Sequence, residues 1–256
     1  MSNFAFLKDR FPVLAHLGNL AENYIYPDAN SCLIKLGQFG EELVKLMMAF
    51  DGITLPPATD NTQANRIRCL KKEDLLPKNI DDVLYSLRTK RNDAIHDGYE
   101  SLGDCKTLLR MAHTLGVWFM QVYGDWQYEP QPFVLPEEKG QLPDYPDYGS
   151  IIKEQEAEIY RLTRLAKSRG VEPVSRAERK KRSSSAAGRL NLSEEETRHI
   201  IDEQLRKVGW EADTSNLRYA KGSRPQKGKN LAIAEWPTDS TVCKWGAVDY
   251  ALFAGL

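Results

Sequence analysis

The stretch KRNDAIHDG places Arg91, Asn92 and His96 within six residues of one another. A histidine can act as general acid or base, and an arginine can stabilise a negative charge that develops in a transition state. Asn92 and His96 are four apart and share a helix face. Arg91 and His96 are five apart, about 140° around an ideal helix. They converge only if the helix ends near Asp97–Gly98 or if a second protomer contributes, so a dimer of the helical region is one expectation. The plainer reading pairs Arg91 with an acid such as Asp81 or Asp93 and lets His96 cap the helix end.

A second set of chemistry-bearing residues lies in the last quarter. In WGAVDYALFAGL, Val248, Tyr250 and Leu252 alternate with Ala247, Asp249 and Ala251, the period of a half-buried strand. Asp249 is the one carboxylate there and needs a partner. Upstream, TSNLRYAKGSRPQKGKN carries Arg218, Lys221, Arg224, Lys227 and Lys229 with no acid. Such a loop either contacts phosphates or is a solvated surface.

Helices must position the first set. NSCLIKLGQFGEELVKLMMAF has Asn30 or Ser31 to cap it, with Leu33, Leu36, Phe39, Leu43, Leu46, Met47 and Phe50 at helical spacing. DDVLYSLRTKRNDAIH turns Val83, Leu84 and Leu87 to one face, and a third helix starts after Asp104 and runs to Tyr123 and Gly124. Residues 1–126 are thus expected as a helical domain. Residues 127–189 read as a connector. It opens with Pro130, Pro132, Pro136, Pro143 and Pro146, continues as an exposed helix with a narrow stripe (Ile152, Ile159, Leu162, Ala166), and ends in SRAERKKRSSSAAGR. The last part, with Arg176, Arg179, Lys180, Lys181, Arg182 and Arg189 against Glu178, is expected as a flexible basic linker or a nucleic-acid contact. Residues 190–256 open a second domain. Ser193 and Glu196 form a capping box, Ile200, Ile201, Leu205 and Val208 face a core, Gly209 stops the helix, and LAIAEW and GAVDYALF read as strands.

Bulk properties exclude several classes. A net charge of −1 over 256 residues gives no global field for nucleic acid or membrane. No apolar run reaches the roughly 18 residues of a membrane helix. The early Lys8, Asp9 and Arg10 do not fit a secretory signal, so a cytoplasmic location is expected. Cys32, Cys69, Cys105 and Cys243 are far apart in sequence and read as reduced thiols, and the four histidines have no metal-ligand spacing.

The string LNLSEEETRHIIDEQLRKVGWEAD, followed by LRYAKGSRPQKGKNLAIAEWP and VDYALF, resembles the nuclease domain of the restriction (R) subunit of type I restriction–modification enzymes. SNFAFLK, AENYIYPDANSCLIKLGQFGE and FVLPEE resemble the helical domain that precedes it in one branch of those subunits. The resemblance implies a multisubunit, ATP-driven machine that acts on unmodified foreign DNA together with specificity and methylase subunits. It implies a mainly α N-terminal helical domain followed by the beginning of an α/β nuclease domain of PD-(D/E)xK type. In that fold a strand Asp and a Glu-x-Lys on the next strand hold Mg²⁺, and a helix Glu assists. Matched residue by residue, the strand Asp and metal ligand is Asp249, and the helix acid is Glu194, with Glu196 second because capping explains it. No Glu-x-Lys follows Asp249, and no G-x-x-x-x-G-K-[ST] occurs, so Mg²⁺ and ATP are expected to serve the parent enzyme and to bind this stretch poorly. DNA cleavage by the chain alone is not expected. Arg91, Asn92 and His96 further resemble the R-N-x-x-x-H motif of HEPN-type helical domains. That supports the rival reading, a freestanding helical interaction or RNA-cleaving module.

Overall fold

A computed structural model describes residues 2–138, 174–238 and 246–255, and the chain divides into two compact units, Met1–Asn191 and Leu192–Leu256. The expectations for the helix around Ile152–Ala166, for Pro143 and Pro146, and for Cys243 lie outside the described residues.

The first unit contains α1 (Pro12–Tyr24), α2 (Ala29–Phe50), α3 (Gln63–Lys72), α4 (Lys78–Asp97), α5 (Leu102–Phe119) and α6 (Arg176–Gly188) among the described residues. The central element is α2, which packs on α1, α3, α4 and α5. Its stripe of Leu33, Leu36, Phe39, Leu43 and Met47 is fully buried, as the spacing predicts. Each such side chain contributes roughly 1.5–3 kcal/mol, enough for the set to offset much of the ordering entropy. The cap differs from expectation. Asp28, not Asn30 or Ser31, accepts the Ser31 amide at 2.9 Å, because its carboxylate lies just outside the first turn. Gly37 lets α4 approach closely: a Cβ there would lie 2.3 Å from Cβ of Arg91.

Helix α5 begins at Leu102, earlier than expected, with the Ser101 hydroxyl accepting the Asp104 amide. It ends in a π-helical turn over Met120–Gly124. The Pro-containing segment then runs back along the N-terminus. The Asn3 amide group and the Val134 backbone exchange two hydrogen bonds of 2.8 Å, and the Tyr26 hydroxyl donates to the Pro136 carbonyl.

Residues Arg176–Arg189 are not a flexible linker. They form α6, whose buried residues Arg179, Ser183, Ala186 and Ala187 recur at helical spacing. Small side chains let this helix sit close: the Ser183 hydroxyl donates to the Leu75 carbonyl at 2.9 Å, and the buried Trp118 indole donates to the Ser183 carbonyl at 3.2 Å. Arg179 enters the interior because Asp51 neutralises it at 2.5 Å, while the Tyr123 hydroxyl donates to the other Asp51 oxygen. The Tyr123 ring lies 5.0 Å beneath the same guanidinium.

The second unit holds α7 (Glu194–Lys207) and a three-stranded sheet in the order β1 (Glu211–Ala212), β2 (Leu231–Pro237), β3 (Ala247–Phe253). Strand β1 runs parallel to β2 and β3 antiparallel to it, with Leu231 opposite Phe253 and Trp236 opposite Val248. The capping box of Ser193 and Glu196 forms as expected. The expected core face of α7 is only partly realised. Ile200 is buried, but Val208 is 70% exposed, and Asp202 and Glu203 are buried instead. The reason is a polar network: Asp202 accepts from the amide and hydroxyl of Thr214 at 2.7 and 2.8 Å and from the Tyr250 hydroxyl at 3.0 Å. Burial first, and the Asp202 charge second, push the Tyr250 hydroxyl up to about 12, so it stays protonated and ties β3 to α7.

Candidate functional site

One guanidinium gathers three acids of the second unit. Arg198, on α7, meets Glu194 at 2.8 Å, Glu235 at 3.5 Å and Asp249 at 3.6 Å. Glu194 lies one helical turn before Arg198, so this pairing follows from i,i+4 spacing. Asp249 comes from the edge strand β3, where its side chain is 85% exposed; the strand is more open than the half-buried pattern implies. The structure therefore places the two predicted acids, Asp249 and Glu194, around one cation.

Glu235 is a member that sequence reasoning missed. It stands at φ 54° inside β2, a left-handed conformation that glutamate adopts at a cost of about 1–3 kcal/mol. Its carboxylate accepts from Arg218 at 3.0 Å and faces Arg198. Nothing in LAIAEW signals a left-handed glutamate; only the charge at a strand interior sets it apart.

Glu194, Glu235 and Asp249 form an ion-pair cluster rather than a coordination shell. Among the described residues no three His, Cys, Asp or Glu side chains are placed to hold a metal ion. A magnesium site needs about six oxygen ligands in tight octahedral geometry, usually with water completing one or two carboxylates. These residues fit that role only as one or two members of a larger donor set.

The basic loop beside this cluster sorts into two kinds of cation. Arg218 is built into the fold: it donates to the Thr214 carbonyl at 2.6 Å and to Glu235. Lys229 meets Glu211 at 3.6 Å. Lys221, Arg224 and Lys227 are exposed and have no carboxylate partner among the described residues. Arg224 is pre-positioned: its guanidinium lies 3.8 Å from the Tyr219 ring centroid and donates to the Tyr219 and Ser223 carbonyls. The Tyr219 ring in turn meets Trp236, which meets Phe253, so a half-exposed aromatic row runs beside the cations.

In the helical unit the three motif residues part company. Arg91 turns toward α2 and donates to Glu41 at 2.7 Å, not to Asp81 or Asp93. Asp81 is held by Lys71 and Asp93 by Lys90. Burial alone would raise the Glu41 carboxyl, but the hydrogen bond from Arg66 and the charges of Lys45 and Arg91 outweigh it and hold the group below its ordinary range. Asn92 and His96 are exposed near the end of α4, which Gly98 closes in the left-handed conformation. The structure thus brings Arg91 to Glu41 and leaves Asn92 and His96 facing solvent.

Comparisons with known proteins place these features. Residues 211–256, the sheet and the basic loop, match the family described as type I restriction enzyme EcoKI endonuclease subunit second domain. The whole chain is 35% identical, over 306 aligned positions, to the type I restriction enzyme EcoKI endonuclease subunit of Escherichia coli K12. The chain spans 26% of the length of that relative. No solved structure matches. The chain is related along its whole length to the N-terminal portion of a type I restriction enzyme R subunit.

Proposed function

We propose that the chain serves as the N-terminal portion of the R subunit of a type I restriction enzyme, and that its second unit meets the DNA backbone through Lys221, Arg224 and Lys227. The observation that carries this reading is the coincidence of the whole-length relationship with three uncompensated cations in the matched segment. Uncompensated lysines and arginines release counterions from DNA when they reach phosphates, which is the main source of such affinity.

In the assembled enzyme, with specificity and methylase subunits and ATP, Asp249 would hold Mg²⁺ with Glu194 assisting. The ion would polarise the scissile phosphate and activate water. Arg198 and Arg218 orient Glu235 and Asp249 and keep their mutual repulsion in check. The helical unit is an HEPN-like scaffold in which Arg91 braces α4 against α2. No G-x-x-x-x-G-K-[ST] occurs in these 256 residues, so no ATP site is assigned to them.

The test is Asp249→Ala in the R subunit assembled with its partners. DNA cleavage should fall at least about 100-fold, as expected when a metal-held transition state is deprived of a ligand worth several kcal/mol. DNA-stimulated ATP hydrolysis should persist. Undiminished cleavage by the variant would remove Asp249 from the metal site.

A further inference from the structure

We propose that a cleft on the helical unit holds one unpaired nucleotide of a DNA strand, with its base stacked on Trp126 and its phosphate on Arg189. The cleft is partly open to solvent, has a volume of about 660 Å³ and lies between the segment that leaves the π-helical turn and the end of α6. That volume suits a small planar ligand with one charged group and is far too narrow for a duplex. Val117 and Leu190 line it with apolar surface, and Gln121, nearly buried, is fixed by donating to the Tyr128 carbonyl at 3.0 Å.

The wall of the cleft is a tryptophan under two guanidiniums. Arg189 lies 4.7 Å and Arg182 5.6 Å from the Trp126 ring centroid. Arg182 and Arg189, the latter capping the end of α6 in a helical conformation, are seven apart, about two turns, and so project to the same side. Of the other cations of α6, all but the exposed Lys181 have an ion pair among the described residues. Arg176 pairs with Glu73, Arg179 with Asp51, Lys180 with Asp74 and Arg182 with Glu178. The Arg189 side chain has no ion pair among the described residues; it lies over the Trp126 face. An exposed arginine on an aromatic face, at the mouth of a cleft, offers a phosphate a fork of donors beside a stacking surface. Glu129, on the rim, accepts from the amino or imino edge of a base and disfavours a second phosphate.

This inference rests on the helical unit alone and not on the reading of Asp249 or of the basic loop. Its test uses the full chain and labelled oligonucleotides of about 12 nucleotides, within the usual site size for such proteins. Binding is followed by fluorescence anisotropy in a Lys221→Ala, Arg224→Ala, Lys227→Ala background that removes the loop. Trp126→Leu should weaken single-strand binding roughly 5- to 100-fold, and Trp126→Phe, which keeps a stacking ring, should retain most of it. Arg189→Gln, a change to an exposed side chain that leaves the fold intact, should lower affinity and reduce the salt slope by about 0.7. Neither change, made in the chain with its loop intact, should alter duplex binding. The inference is overturned if Arg189→Gln and Trp126→Leu bind single strands like the parent, or if duplex and single strand weaken together.

Discussion

Two stretches of this chain are comparably basic and have opposite fates. SRAERKKRSSSAAGR becomes α6 and buries part of its charge, whereas LRYAKGSRPQKGKN stays a loop and exposes most of its own. The difference does not lie in the basic residues. Acids on other elements, Asp51, Glu73 and Asp74, are in place to receive the α6 cations, and Ala186, Ala187 and Ser183 are small enough for close packing. The loop has Gly222 and Gly228 at positive φ, a proline between them, and acids only for Arg218 and Lys229. A basic run therefore reads as structural or as functional according to whether its counter-charges are already within the fold.

The largest expected effect breaks the buried half of this comparison. Arg179→Met leaves the Asp51 carboxylate buried with one hydroxyl donor, and stability should fall by about 3–5 kcal/mol, the usual penalty for orphaning one member of a buried pair. Chemical denaturation of the helical unit measures it. A loss below about 1 kcal/mol would mean that the ion pair is solvated and that α6 is held by its small residues alone. The same arrangement predicts that trypsin spares Arg179, although a flexible linker would be cut there.

A smaller effect concerns a buried base that lacks an acid. His113 packs among the rings of Phe4, Phe6 and Phe133, and burial lowers it from 6.5 to about 4. The folded state therefore holds the neutral form while the unfolded chain takes up a proton below pH 6.5. Stability is complete above 6.5 and is lost as pH falls toward 4, by about 2 kcal/mol at pH 5. His113→Leu should remove that part of the acid sensitivity, measured as the difference in unfolding free energy between pH 7.5 and 5. An unchanged pH dependence would show that His113 is protonated in the fold.

Large apolar periodicity was the legible part of the sequence. The α2 stripe, the Val83, Leu84 and Leu87 face of α4, and the Ser193–Glu196 box each combine a spacing with a physical need that the structure meets. Helix α6 was illegible because its buried stripe is an arginine, a serine and two alanines, which carry no hydrophobic signal. Asp202 was illegible because its partners, Thr214 and Tyr250, lie 12 and 48 residues away. Of the site, Asp249 and Glu194 stand out through family resemblance, and the structure brings both to Arg198. Glu235 needed the structure, since a left-handed glutamate in a strand is a tertiary constraint. Trp126 stood alone after Gly124 and gained meaning only when α6 brought Arg182 and Arg189 to it.

The claim at the centre of this account is that duplex DNA is met by the exposed cations of the loop and not by the ion-paired cations of α6, Lys180 and Arg182 among them. The direct test is the slope of log K against log salt for duplex binding by the full chain. Replacing Lys221, Arg224 and Lys227 with alanine should reduce that slope by about 2.7, near 0.9 for each phosphate no longer neutralised. Replacing Lys180 and Arg182 instead should leave it unchanged. A loop variant with the parental slope, or a reduction confined to the α6 variant, would contradict the account.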